Sequence, residues 1–145
     1  MGKVMTIPQK INDLRDMFKL FDDPKDKYIQ LIDMGKKSIG LMHEERIENH
    51  KIFGCTSQAW VVTKQIDNKT YSFQTDSDAL IVKGLLSIVE NICEGETFEN
   101  INLIDGKNLL NAVGLNGAIT SQRTNGLSSA LEKIKKDIKW MEAKR

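Results

Sequence analysis

Cysteine, proline, histidine and tryptophan are all scarce in this chain, with two of each in 145 residues. Cys55 and Cys93 alone cannot form the multi-bridge framework of a small secreted domain, and a chain of this length with 40% hydrophobic residues buries a core without one. There is no Cys-x-x-Cys pair, and His43 and His50 stand at no spacing that matches a standard zinc site. A thioredoxin-type carrier is disfavoured on the same ground, because it needs a second cysteine close by to resolve a mixed disulfide. Cysteine here is either packing or reagent. Charge of one sign is lacking too: 21 basic residues face 20 acidic ones, so no overall field draws the chain to nucleic acid or an anionic membrane. No apolar run approaches the roughly 18 to 20 residues that span a bilayer, and residues 1–10 lack the apolar stretch of a secretory signal. The expected location is therefore the cytoplasm. With no repeat, low-complexity tract or linker, residues 1–145 read as one domain.

What the chain does have is hydrophobic patterning. Pro8, followed by Ile11, Leu14, Phe18 and Phe21 at spacings of three and four, predicts an amphipathic helix. Asp22-Asp23-Pro24 starts a second, whose apolar face of Tyr28, Ile29, Leu31, Ile32 and Met34 ends at Gly35. Residues 36–51 are polar and without periodicity, which reads as a surface connection carrying both histidines. Alternation in 59–63 and 70–73 around the turn residues Asp67-Asn68-Lys69 predicts a β-hairpin, and Ile52 and Phe53 add a short preceding strand. Asp76-Ser77-Asp78 offers caps for a densely apolar helix from Ala79 to Val89 that Gly95 terminates. Short helices fit 98–103 and 107–113, and a longer one fits 120–141, with Leu127, Leu131, Ile134 and Ile138 on one side. The expected class is α+β, a small antiparallel sheet of about three strands packed against several helices.

Chemistry concentrates at Gly54-Cys55-Thr56-Ser57-Gln58-Ala59-Trp60, where a cysteine follows glycine just before a strand. Glycine lets the backbone turn with positive φ, and a sulfur at a loop tip can be presented to a partner. The alternative is that Cys55 is a small apolar residue covering the end of the sheet. Cys93, within an apolar helical run, reads as core. Gly84 and Gly126 fall inside predicted helices, where glycine costs about 1 kcal/mol relative to alanine, so close packing against another segment is expected at both.

The loop segment resembles the Gly-Cys-x-Ser-x-x-Trp motif of SufE-type sulfur acceptors, whose fold is shared with IscU-like scaffolds. Asp76-Ser77-Asp78-Ala79-Leu80-Ile81-Val82-Lys83-Gly84-Leu85 and Arg123-Thr124-Asn125-Gly126-Leu127 resemble the family's other two hallmarks, in the same order. Weaker similarity at 28–36 extends the likeness to nearly the whole chain. The resemblance implies a carrier, not an enzyme with turnover of its own. Cys55 would take persulfide sulfur from a pyridoxal-phosphate-dependent cysteine desulfurase of the SufS or CsdA type, stimulating it. It would then pass that sulfur to an iron-sulfur assembly scaffold of the SufBCD type. No cofactor or metal is expected on this chain, only a transient persulfide. Around Cys55, the loop residues Gly54, Ser57 and Gln58 and the motif residues Asp76, Lys83 and Arg123 are the expected supports. Asp76 and Arg123 could pair with each other, or serve as a helix cap and a solvated charge; a cation at Arg123 or Lys83 would favour the Cys55 thiolate.

The chain departs from the family pattern in three places. Pro24-Lys25-Asp26 replaces the usual tryptophan-acidic helix start, and Ala118 to Gln122 replaces the histidine-containing lead into the third motif. His50 also stands where asparagine is common. The competing readings are a docking adaptor that activates a desulfurase conformationally, and a hydrolase pairing Cys55 with His43 or His50.

Overall fold

The computed structural model of the protein describes residues 5–55 and 57–144. Residues 1–4, the start of the stretch read above for a signal, lie outside the described residues, as do Thr56 of the loop motif and Arg145. Six helices and one hairpin follow the order expected from the patterning. Helix α1 (Ile7–Phe18) begins with a capping box, in which Thr6 and Gln9 satisfy each other's backbone amides. It stops short of Phe21, whose amide closes a turn on the Phe18 carbonyl. Asp23 caps α2 (Pro24–Lys37). Two single-turn 3-10 helices, His43–Glu45 and Glu48–His50, occupy the connection that lacked periodicity.

Helix α3 (Leu80–Cys93) is the axis of the core. Ile81, Leu85, Ile88, Val89 and Ile92 are each exposed by 4% or less, and a fully buried side chain of this kind contributes about 1.5 to 3 kcal/mol. The helix packs on α1, α2, the hairpin and α6 (Ser121–Ala143), while the short helices α4 (Phe98–Asn102) and α5 (Gly106–Ala112) close over α6. Gly95, at φ 75°, breaks the chain away after α3, as its position past the apolar run predicts. Helices α2 and α3 approach until their backbones touch. A Cβ on Gly84 would overlap the Leu31 carbonyl, and one on Gly35 the Leu80 carbonyl. Close packing is thus the reason for the glycine inside α3.

Strands β1 (Ala59–Gln65) and β2 (Tyr71–Ser77) pair antiparallel from Ala59 opposite Ser77 to Gln65 opposite Tyr71. The turn between them is held by the Asp67 carboxylate, which accepts the Lys69 and Thr70 amides at 2.9 Å each. The additional strand expected at 52–53 is reduced to one bridge, Lys51 to Trp60, with the Ile52 amide donating to the Ala59 carbonyl at 2.8 Å. Immediately afterwards the chain turns at Gly54, so pairing cannot lengthen. Strand β1 is buried on both faces: Ala59 and Val61 join the main core, while Trp60 and Val62 pack with Leu41 in a second, smaller cluster.

Thr63 is 8% exposed, and its Oγ1 is the single buried side-chain polar atom without a hydrogen-bond partner among the described residues. An unpaired buried hydroxyl costs about 1 to 3 kcal/mol. The near-isosteric Thr63→Val change is therefore expected to stabilise the fold by about 1 kcal/mol and raise the melting temperature by roughly 3 °C. Calorimetry checks this; a lower melting temperature would show that the hydroxyl is satisfied in solution.

Candidate functional site

Ile52, 1% exposed and hydrogen-bonded to β1, anchors the near end of the loop that carries Cys55. Gly54 then takes φ 98°, a conformation that side-chain-bearing residues avoid, and sends the chain toward α6. Cys55 comes to rest half-buried, with its Sγ 3.7 Å from the Gly126 carbonyl oxygen, to which the thiol donates. Val82, Leu85 and Leu86 of α3 and Leu127 of α6 form apolar walls, and Gln122 and Arg123 complete the lining. The space left beside the sulfur is about 10 Å³, on the order of one water-sized probe. Gly126 makes this approach feasible: a Cβ there would stand 3.0 Å from Sγ. The glycine expected to permit close packing does so against the thiol itself.

Two opposed effects set the state of this thiol. Burial pushes the Cys55 pKa up from its ordinary value, and the Arg123 guanidinium pulls it part of the way back. Folded at rest, Cys55 holds its proton. Cys93 is a different case, fully buried in α3 with its pKa pushed up to about 12 by burial, and no thiolate forms there at physiological pH.

The remaining expected supports divide. Arg123 does lie beside the loop, its Nη1 donating to Ser57 Oγ at a long 3.5 Å. Gln58 acts through its backbone, its amide donating to Asp78 Oδ1 at 3.1 Å and its carbonyl accepting the Ser77 hydroxyl at 2.7 Å. The expected pairing of Asp76 with Arg123 is not what the fold makes. Asp76, 1% exposed, instead accepts Arg46 Nη2 at 2.7 Å and the Leu41 amide at 2.9 Å, with Lys83 Nζ 3.7 Å away. Burial by itself would raise the Asp76 carboxyl, but the Leu41 amide, Arg46 and the Ser77 amide together hold it below its ordinary value. Nor does Asp76 cap a helix: β2 runs on to Ser77, and α3 starts behind Ala79, whose amide donates to Ser77 Oγ at 3.2 Å. Lys83 is accordingly drawn to Asp76, which leaves Arg123 as the cation at the sulfur.

Sequence reasoning missed Arg46, which lies 5.6 Å over the Trp60 ring and ties the 40–46 segment across the sheet. Its partner is thirty positions away in the chain, and the stretch around it has no periodic signal. The histidines stand elsewhere. His50 Nδ1 lies 2.8 Å from the Glu45 carbonyl, and no histidine lines the Cys55 cavity among the described residues. Within the same residues, no group of three or more His, Cys, Asp or Glu is placed to hold a metal, and no helix is long and apolar enough to cross a membrane.

A single half-buried thiol on a loop that turns at Gly54, set against two helices of a small α+β domain, defines a thiol protein without a metal-ligand cluster among its described residues. The chain belongs to the SufE family: the model of that family, described as an Fe-S metabolism associated domain, matches residues 12–138. An uncharacterized SufE-like protein of Rhizobium etli is 36% identical over 132 residues, 89% of each chain. One of Rhizobium meliloti is 33% identical over 130 residues, 88% of this chain and 93% of the relative. One of Synechocystis is 34% identical over 121 residues, 83% of this chain and 75% of that protein. The fold is similar to the solution structure of a hypothetical protein from Thermus thermophilus, with TM-score 0.73 and 18% identity, covering 96% of this chain and 99% of that one.

Proposed function

We propose that this chain is a sulfur carrier that works with a cysteine desulfurase, and that Cys55 is the atom-transferring residue. The Cys55 thiolate attacks the terminal sulfur of a persulfide on the desulfurase. The new Cys55 S–S bond forms as the donor's S–S bond breaks, and the donor cysteine leaves as its own thiolate. Pyridoxal phosphate belongs to the desulfurase, and nothing further is required of this chain than a thiol that can be shown and withdrawn. The observation that carries the reading is the placement of Cys55 on a Gly54-hinged loop, sheltered at rest yet only half-buried. Phe53, 62% exposed and two positions before the thiol, offers a docking partner an apolar contact beside it. The loaded carrier delivers its sulfur in the cytoplasm to an iron-sulfur assembly scaffold of the SufBCD type, the donor being of the SufS or CsdA type.

The test is an intact-mass measurement. After incubation with a cysteine desulfurase and cysteine, the protein is expected to gain about 32 Da, and a reducing thiol should remove the increment. A chain that stays at its starting mass with every donor that binds it would end the carrier reading in favour of an adaptor.

A further inference from the structure

Helix α6 meets the thiol loop along one stripe. Arg123 faces Ser57, Gly126 lies under Cys55, and Ser129 lies under Gly54, where a Cβ would stand 2.5 Å from Ser129 Oγ. Residues spaced by three share a helix face, so one side of one turn and a half of α6 forms the bed of the loop. Helix α3 contributes Val82, Leu85 and Leu86 to this bed and no charge, because its Lys83 is engaged by Asp76. Arg123 is therefore the one charged side chain lining the space among the described residues.

We propose that Gly126 is a positioning residue for the sulfur chemistry: its bare Cα and its carbonyl form a seat that holds the Cys55 sulfur as a neutral thiol and releases it once it carries charge. The bare Cα sets the fit, since a Cβ at this position would stand 3.0 Å from the sulfur and press it outward by a few tenths of an ångström. The carbonyl supplies the selectivity. A thiol donates its S–H to the Gly126 oxygen at 3.7 Å. A thiolate has no proton to give, faces a carbonyl dipole of the wrong sign, and loses hydration against the apolar walls. Arg123 offsets this only in part.

The direction of the linkage follows. Seated, the thiol has a raised pKa; released into water, it has an ordinary one. The seated state is thus fully favoured below the ordinary thiol value and loses ground as pH rises through and above it. A persulfide is a stronger acid than the thiol from which it forms, so at neutral pH the loaded sulfur is anionic and the seat no longer suits it. An empty carrier then keeps its sulfur in, and a loaded one turns it toward the acceptor; this consequence rests on Cys55 carrying sulfur, whereas the seat itself does not.

Alkylation of Cys55 by iodoacetamide reads the seat with no donor present. Rates are followed from about pH 6 to about pH 10, with Cys55→Ser as the blank for Cys93. In the wild type, the rate is expected to be slow and to rise with a midpoint above the ordinary thiol value of about 8.5. In Gly126→Ala, which gains helix propensity at a helix-interior position, the midpoint should fall toward that value and the neutral-pH rate should rise above that of the wild type. Ser129→Val, pressing on Gly54 from the same face, should move the profile in the same direction. If both variants keep the wild-type circular dichroism and melting temperature and also its alkylation profile, the proposal is overturned. The outcome is independent of sulfur loading: a chain that takes up no sulfur but shows the shifted profiles loses its carrier role and retains its seat.

Discussion

Cys55→Ser is expected to take up no sulfur, its intact mass remaining unchanged under conditions that add about 32 Da to the wild type. A hydroxyl is far less acidic than a thiol and forms no anion at neutral pH that could attack a persulfide, so the chemistry disappears while the volume is nearly conserved. The loop should still seat, because the serine hydroxyl can donate to the Gly126 carbonyl that now accepts the thiol. Cys93 cannot take over. It is fully buried in α3 and its pKa is pushed to about 12, so its thiolate is absent and unreachable. The variant also separates a carrier from an adaptor. For a carrier, sulfur release by the desulfurase should fall to the level seen with no added protein; full acceleration by Cys55→Ser would assign the effect to docking alone.

Gly84→Ala is expected to cost about 3 kcal/mol, the upper end of the usual range for overpacking, and to lower the melting temperature by roughly 10 °C. In an isolated helix the same change would be favourable by about 1 kcal/mol. Here the added methyl meets the Leu31 carbonyl, which belongs to the backbone of α2 and has no rotamer to adopt. The two helices must separate, and α3 carries Val82, Leu85 and Leu86, the apolar walls of the Cys55 seat, on the turns adjoining Gly84. Faster alkylation of Cys55 should therefore accompany the loss of stability. A melting temperature within a degree or two of the wild type, measured by calorimetry, would show that the α2–α3 crossing yields without cost.

The starts of the first two helices were legible because their signals are local: Pro8, and Asp23 before Pro24, act within one turn of where they stand. The hairpin was legible for the same reason, through alternation and the Asp67 turn. The additional strand was overcalled, since Ile52 pairs with β1 for a single bridge before Gly54 diverts the chain. At the site, the positive φ expected of Gly54 and a cation at Arg123 beside Cys55 are both found, whereas the partner of Asp76 is Arg46, which the sequence did not single out. Asp76 had several cations within reach of a plausible fold, and nothing local distinguishes Arg46 from Arg123.

By itself, the amino-acid sequence determined the family, the α+β class, the order of helices and hairpin, and the placement of Cys55 on a loop before β1, because each is written in spacing or motif over a few adjacent residues. Only the tertiary structure decided that Asp76 binds Arg46 and Lys83 while Arg123 is left to the sulfur, and that the glycine in α6 is the floor beneath the thiol. Those outcomes depend on which elements meet. A carboxylate buried in β2 takes the cation that the packing of the 40–46 segment brings to it, and a missing side chain acquires a meaning only from the atom that fills its place.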